Sequence, residues 1–161
     1  MTISKKVILT GSFGVGKTSL FNQFIHQKFS DKYLTTIGVK VNKKSLKVND
    51  EEISLLVWDI AGEVTQDKVP TSYFLGASGV VYVIDLSRPL TFEGIKTDIE
   101  YLKKLLPGGI VKVVGNKKDL LTEDEIEEAR AQIKLPIDIV TSAKTGENVT
   151  ALFTNLAEEL L

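Results

Sequence analysis

At 161 residues, with 43% hydrophobic and 25% charged content, the chain matches one globular domain, residues 1–161, able to bury a substantial core. Lys plus Arg number 20 and Asp plus Glu 21, a formal net charge of -1, which argues against nucleic acid or an anionic membrane as a partner of the whole surface. Cysteine is absent, which excludes disulfides, thiolate zinc sites, prenylation and palmitoylation, and fits a reducing, cytoplasmic setting. Thr2 stands where myristoylation needs Gly, and the apolar run after Lys5 and Lys6 is too short for a signal-peptide core. No stretch is long enough to span a bilayer, and the Asn148-Val-Thr150 sequon reads as coincidence.

Val7 to Leu9 is an apolar run expected to form a strand buried on both faces. Gly11-Ser-Phe-Gly-Val-Gly-Lys-Thr18 follows it, fits G-x-x-x-x-G-K-[ST], and opens a helical pattern near Lys17. Gly11, Gly14 and Gly16 allow a tight curl whose N–H groups point inward at phosphate oxygens, helped by the positive end of the helix dipole. Phe13, Val15 and Ser19 are counted with this cradle. Lys17 is placed on the β- and γ-phosphates, and the Thr18 hydroxyl on Mg²⁺. His26, near the end of that helix, reads as a surface residue.

Gly38 to Val48 and Glu52 to Asp59 read as two strands joined by Asn49 and Asp50, an antiparallel hairpin. Lys40, Lys43, Lys44 and Lys47 on the first of them read as protection of a sheet edge, with a patch for an acidic partner or a membrane surface as the alternative. Trp58-Asp59-Ile-Ala-Gly62 puts Asp59 at a strand's carboxyl end, a second Mg²⁺ candidate acting through water. Gly62 leaves a bare N–H for a terminal phosphate.

Val80 to Ile84 is the next buried strand, and Phe92, Ile95, Ile99, Leu102 and Leu106 then recur at helical spacing until Pro107-Gly108-Gly109. Ile110 to Val114 leads into Asn116-Lys-Lys-Asp119, and Thr122 with Glu125 suggests a capping box. Ile137 to Val140 leads into Thr141-Ser-Ala-Lys144, so both loops open on one rim. Val149, Leu152, Phe153, Leu156 and Leu160 line a last helix. The alternation predicts an α/β fold, with a mostly parallel six-stranded sheet, one antiparallel edge strand, and helices on both faces.

A carboxylate at Asp119 can accept from both N1–H and the N2 amine of guanine, a donor pattern adenine lacks. The only arginines, Arg88 after a central strand and Arg130 in a predicted helix, fall outside the phosphate loop and outside both Phe29 to Gly38 and Asp59 to Tyr73, so no arginine finger is available within the chain.

These motifs together resemble the Ras superfamily of small GTPases, which are P-loop NTPases. Thr36-Ile-Gly-Val39 within Phe29 to Val39 is most similar to the Rab branch. The resemblance covers essentially the whole chain and implies one G domain that binds GTP and GDP with Mg²⁺ and switches between two states. It further implies that Phe29 packs edge-on to guanine, Tyr33 flaps near the phosphates, and Thr36 ligates Mg²⁺ only with GTP. Asn116 and Lys117 would brace the base and the phosphate loop. Ser142, Ala143 and Lys144 would meet the base, Ala143 through its N–H to the guanine carbonyl. Phe29 to Gly38 and Asp59 to Tyr73 would be the switches that bind effectors and regulators, with a monomer as the family default. Lys32, in the first switch, reads as a solvated lysine.

Three features depart from the family. Glu63 follows Gly62 where a water-orienting Gln is usual, Phe13 replaces a small residue, and no lipidated cysteines follow the last helix, so the expectation is either a protein free in the cytosol, with no lipid anchor in these residues, or a longer chain whose tail lies beyond residue 161. Lys17, Gly62 and Glu63 are the candidate catalytic groups. A slow GTP hydrolase is the leading expectation, a GTP-binding adaptor with little hydrolysis the alternative. An ATPase would require Asp119 and Ala143 to be incidental.

Overall fold

The computed structural model describes residues 3–27, 29, 38–63 and 65–161. Strands β1 (Ile3–Gly11), β2 (Val39–Val48), β3 (Glu51–Ile60), β4 (Ala77–Asp85), β5 (Ile110–Asn116) and β6 (Ile139–Val140) form one sheet in the order β2-β3-β1-β4-β5-β6. β2 runs antiparallel to β3, and every other neighbouring pair is parallel.

The apolar runs are continuous because the central strands are buried on both faces. Successive side chains point to opposite faces. Val7, Leu9, Val81 and Val83 therefore join one core cluster, and Ile8, Val80, Tyr82 and Ile84 the other. Helices α1 (Lys17–His26) and α4 (Val149–Leu160) close the first face, with Phe24 stacked on Phe153 at 3.9 Å between ring centroids. Helices α2 (Ile95–Leu105) and α3 (Glu123–Ile133) close the second with Ile95, Ile99, Leu102, Ile126 and Ile133.

The β2–β3 hairpin turns through Asn49 and Asp50, both left-handed at φ 51° and 64°. Two such residues make the type I′ turn that matches strand twist, which is why Asn-Asp works here. The capping box forms in both directions: Glu125 N–H donates to Thr122 Oγ1 and Thr122 N–H to Glu125 Oε1.

Two elements are shorter than their sequence patterns. α2 begins only at Ile95, because Pro89–Thr91 forms a 3-10 turn first, yet Phe92 still packs into the same core. β6 is regular only at Ile139–Val140. Just before it Asp138 pairs with Val113 twice, its N–H donating to the Val113 carbonyl at 2.8 Å and its carboxylate accepting the Val113 N–H at 2.7 Å. That carboxylate takes the donor a regular ladder would use. Among the described residues no helix is long and apolar enough to cross a membrane.

Parallel strands bring their carboxyl ends to one rim, where open α/β sheets bind ligands. Gly11, Asp59, Asp85 and Asn116 lie at or near the ends of β1, β3, β4 and β5, and Thr141 directly after β6.

Candidate functional site

The loop between β1 and α1 is held from outside by side chains of other elements. Arg88 Nη2 donates to the Phe13 carbonyl at 2.9 Å, Lys117 Nζ to the Gly14 carbonyl at 3.0 Å, and Asn116 Nδ2 to the Val15 carbonyl at 3.1 Å. In a trans peptide the N–H points opposite to the carbonyl. Fixing those three carbonyls outward therefore turns the N–H groups of Gly14, Val15 and Gly16 the other way, into the concave side. Gly16 is left-handed at φ 98°, and a Cβ there would lie 2.3 Å from Asn116 Nδ2, so glycine is required twice over.

Lys17 is buried, and its Nζ lies 3.5 Å from the Ser12 carbonyl, the outer limit of a hydrogen bond. Burial lowers its pKa, against the opposing effect of the nearby Asp59 charge. A buried ammonium held so weakly by protein suits an anionic ligand that would restore its charged state. Gly62 sits against it: a Cβ on Gly62 would fall 2.7 Å from Phe13 Cα and 3.1 Å from Lys17 Nζ. The Glu63 N–H donates to the Gly11 carbonyl at 3.3 Å, which brings the half-buried Glu63 to the loop.

Thr18 Oγ1 donates to Asp59 Oδ2 at 2.8 Å, and both residues are buried. A hydroxyl and a carboxylate side by side next to a phosphate cradle are the hard oxygen donors that Mg²⁺ takes, so these residues fit that ion. Thr36, the third candidate ligand, lies outside the described residues, as do Tyr33 and Lys32.

Beyond Gly16 and Ser19 a cavity of about 230 Å³ opens, walled by Phe29, Asn116, Lys117, Asp119, Ala143 and Lys144. Ser142 Oγ donates to Asp119 Oδ1 at 2.8 Å, which orients the carboxylate and leaves Oδ2 and the second lone pair of Oδ1 for a base. Asn116 joins the two ends of the site. Besides holding Val15, its Oδ1 accepts from Thr141 Oγ1 at 3.0 Å and from the Ala143 N–H at 3.2 Å. The Ala143 N–H, expected on the guanine carbonyl, is thus directed at Asn116 in this structure. His26 is exposed.

Two groups escaped the sequence reading. One is Asp85, fully buried at the end of β4, where Oδ1 accepts from the N–H and hydroxyl of Ser87 and Oδ2 from Lys117 Nζ and Arg88 Nε. Burial would raise its pKa, but the bonds from Ser87 and Lys117 outweigh that and hold it below the ordinary value. The other is a buried chain that anchors the segment after Glu63. Gln66 Oε1 accepts from Thr10 Oγ1, and the Gln66 N–H donates to Asp98, which also accepts from the Tyr82 hydroxyl. Burial and Asp98 push the Tyr82 phenol well above its usual pKa, so it stays a donor. No contiguous motif marks either group, and a polar residue within an apolar run, such as Tyr82, was the only hint.

The Ras family sequence profile matches residues 6–161. The chain is 33% identical over 162 residues to the Ras-related protein Rab-13 of Canis lupus familiaris, covering 97% of this chain and 79% of the relative. It is 36% identical to Rab-4A of Bos taurus (97% and 74% covered) and 32% identical to SEC4 of Saccharomyces cerevisiae (95% and 73% covered). Phosphate cradle, oxygen pair and base-sized cavity on one rim accord with those matches, and the chain belongs to the Ras family as a Rab-like small GTPase.

Proposed function

We propose that residues 1–161 form a single G domain that binds GTP and GDP with Mg²⁺, hydrolyses GTP slowly, and presents two different surfaces to partner proteins in the two states. The supporting observation is Asn116, whose one amide ties the phosphate loop at Val15 to the base loop at Thr141 and Ala143. Base recognition and phosphate recognition are thereby parts of one rigid site. Phe29 would pack against the base and Asp119 select guanine, with Ser142, Ala143 and Lys144 completing that wall.

The triphosphate would lie in the N–H groups of residues 14–18, with Lys17 Nζ on the β- and γ-phosphates. Mg²⁺ would be held by Thr18, Asp59 and, with GTP, Thr36, and when bound supplies neutralisation of the phosphate oxygens. Water attacks the γ-phosphorus in line as the bond to GDP breaks. The Gly62 N–H meets the γ-phosphate, and Glu63 orients or deprotonates the water if its charge is tolerated beside the polyanion. Loss of the γ-phosphate releases Phe29 to Gly38 and Asp59 to Tyr73, the two switches through which effectors and regulators bind. The protein would act as a cytoplasmic monomer without nucleic acid.

Thr18→Ala and Asp59→Ala should each raise the Mg²⁺ concentration needed to retain nucleotide by on the order of tenfold, one lost charge-assisted oxygen contact. Thr36→Ala should mainly weaken GTP-state binding. Nucleotide release titrated against Mg²⁺ measures both, and equal effects on GTP and GDP would remove Thr36 from the site.

Phe13 favours the adaptor alternative: it lies in the phosphate loop, is 53% exposed, and borders a cavity of about 490 Å³ shared with Leu90 and Glu93. A ring there obstructs an activating arginine, a group worth roughly 10³–10⁵ in rate. The expected result is slow release of phosphate from bound GTP in a single turnover, dependent on Mg²⁺. Phe13→Gly should restore response to an activating protein by at least about tenfold, more than Glu63→Gln alone. No phosphate release at all would favour the adaptor. A fast parent rate that collapses in Glu63→Ala would make Glu63 a working catalytic residue.

A further inference from the structure

We propose that Arg88 is a positioning residue of the phosphate loop, holding the Phe13 carbonyl outward so that the next N–H faces the nucleotide phosphates; this rests on the guanine-nucleotide reading above. Arg88 is remote in sequence from that loop, but its backbone is fixed where β4 ends. The Arg88 N–H donates to the Asp85 carbonyl, and the Arg88 carbonyl accepts from both the N–H and the hydroxyl of Thr91. From that turn the guanidinium spans two acceptors, with Nε on Asp85 Oδ2 at 2.7 Å and Nη2 on the Phe13 carbonyl at 2.9 Å.

Asp85 Oδ2 is shared with Lys117 Nζ at 2.9 Å, and Lys117 in turn holds the Gly14 carbonyl at 3.0 Å. Two consecutive loop carbonyls are therefore each tied, through a cation, to the same buried oxygen. Lys117 lies in the Asn116-Lys-Lys-Asp119 motif and touches the base cavity, whereas Arg88 has no part in it. Arg88 supplies the second strut, one residue nearer the start of the loop. Two cations around one carboxylate also leave a surplus positive charge beside the site where phosphates would lie, although solvent screens the half-exposed Arg88 side chain.

A planar fork with separated donors suits this geometry, and a lysine ammonium at the same place has one point from which to reach both acceptors. Replacing Arg88 removes the guanidinium bond from the Phe13 carbonyl, and the following peptide should reorient.

The test uses the whole chain loaded with Mg²⁺ and a fluorescent GDP, comparing the parent with Arg88→Ala, Arg88→Lys and Arg130→Gln. Arg130 is a matched arginine on α3, paired only loosely with Glu127 at 3.8 Å, and controls for loss of one charge. Loss of one charge-assisted bond amounts to about tenfold in release rate. Arg88→Ala should release GDP about that much faster and Arg88→Lys should recover only part of the difference, with Arg130→Gln within about twofold of the parent. Amide ¹H–¹⁵N signals of Gly14 and Gly16 in the GDP complex should shift in Arg88→Ala and stay in place in Arg130→Gln. A general loss of stability would not single out those two amides.

Unchanged release in Arg88→Ala, full recovery in Arg88→Lys, or unmoved Gly14 and Gly16 signals would each overturn the assignment while leaving the nucleotide reading intact. A parent that retains no guanine nucleotide would overturn both.

Discussion

Asp119→Asn should lower guanine-nucleotide affinity by roughly 100- to 1,000-fold and turn preference toward xanthine nucleotides. Ser142 Oγ donates to Asp119 Oδ1, and in the variant that hydroxyl would hold the amide oxygen in the same place. The amide NH₂ would then face the base, where guanine also presents donors. Two charge-assisted bonds are replaced by a donor–donor clash, on the order of 3–4 kcal/mol. Xanthine carries a carbonyl where guanine has its N2 amine, so the same amide becomes a match. Because the change is nearly isosteric, the fold should survive it. Competition of xanthosine and guanosine diphosphates for the variant measures the switch, and unchanged guanine affinity with no gain for xanthine would mean that the base is read elsewhere.

Asn116→Ala should be the most disruptive single truncation at the site, with nucleotide release faster by about 100-fold or more. It removes three buried bonds, to the Val15 carbonyl, the Thr141 hydroxyl and the Ala143 N–H. Orphaned buried polar groups cost about 1–3 kcal/mol each, so a total near 3 kcal/mol is conservative. In a domain of this size that corresponds to a Tm lower by roughly 6–12 °C. Thermal unfolding and GDP release should both move; a change in Tm alone would mean that Asn116 supports the fold without joining the two halves of the site.

Much of this was legible because the relevant signals are local. The phosphate loop is contiguous, its glycines mark the tight curl, and the apolar run of β1 fixes where it opens. Likewise Asn49-Asp50 names its own turn and Thr122 with Glu125 its own cap. Asp119 and Ser142 were legible as members of two loops following two strands, since parallel strands deliver such loops to a common rim.

What escaped depended on contacts remote in sequence. Arg88 read as lying outside the phosphate loop, yet its side chain crosses to Phe13. Asp85 belongs to no motif and follows the apolar run Val80 to Ile84 without a sequence signal of its own, although burial among Ser87, Lys117 and Arg88 makes it the hub of the loop's outer support. Gln66 and Asp98 interrupt otherwise ordinary segments, and only their meeting with Thr10 and Tyr82 explains polar groups so deep. β6 looked longer because Ile137 is a core residue, while the doubled Asp138–Val113 pairing that shortens the regular ladder is invisible to hydrophobic patterning.

The most direct measurement is displacement of a fluorescent GDP from the purified chain by GTP, GDP and ATP, with Mg²⁺ present and after its chelation. The expected result is one site per chain, displaced by GTP and GDP, indifferent to ATP at a hundredfold excess or so, and releasing nucleotide much faster once Mg²⁺ is removed. Equal displacement by ATP, or retention indifferent to Mg²⁺, would contradict the account.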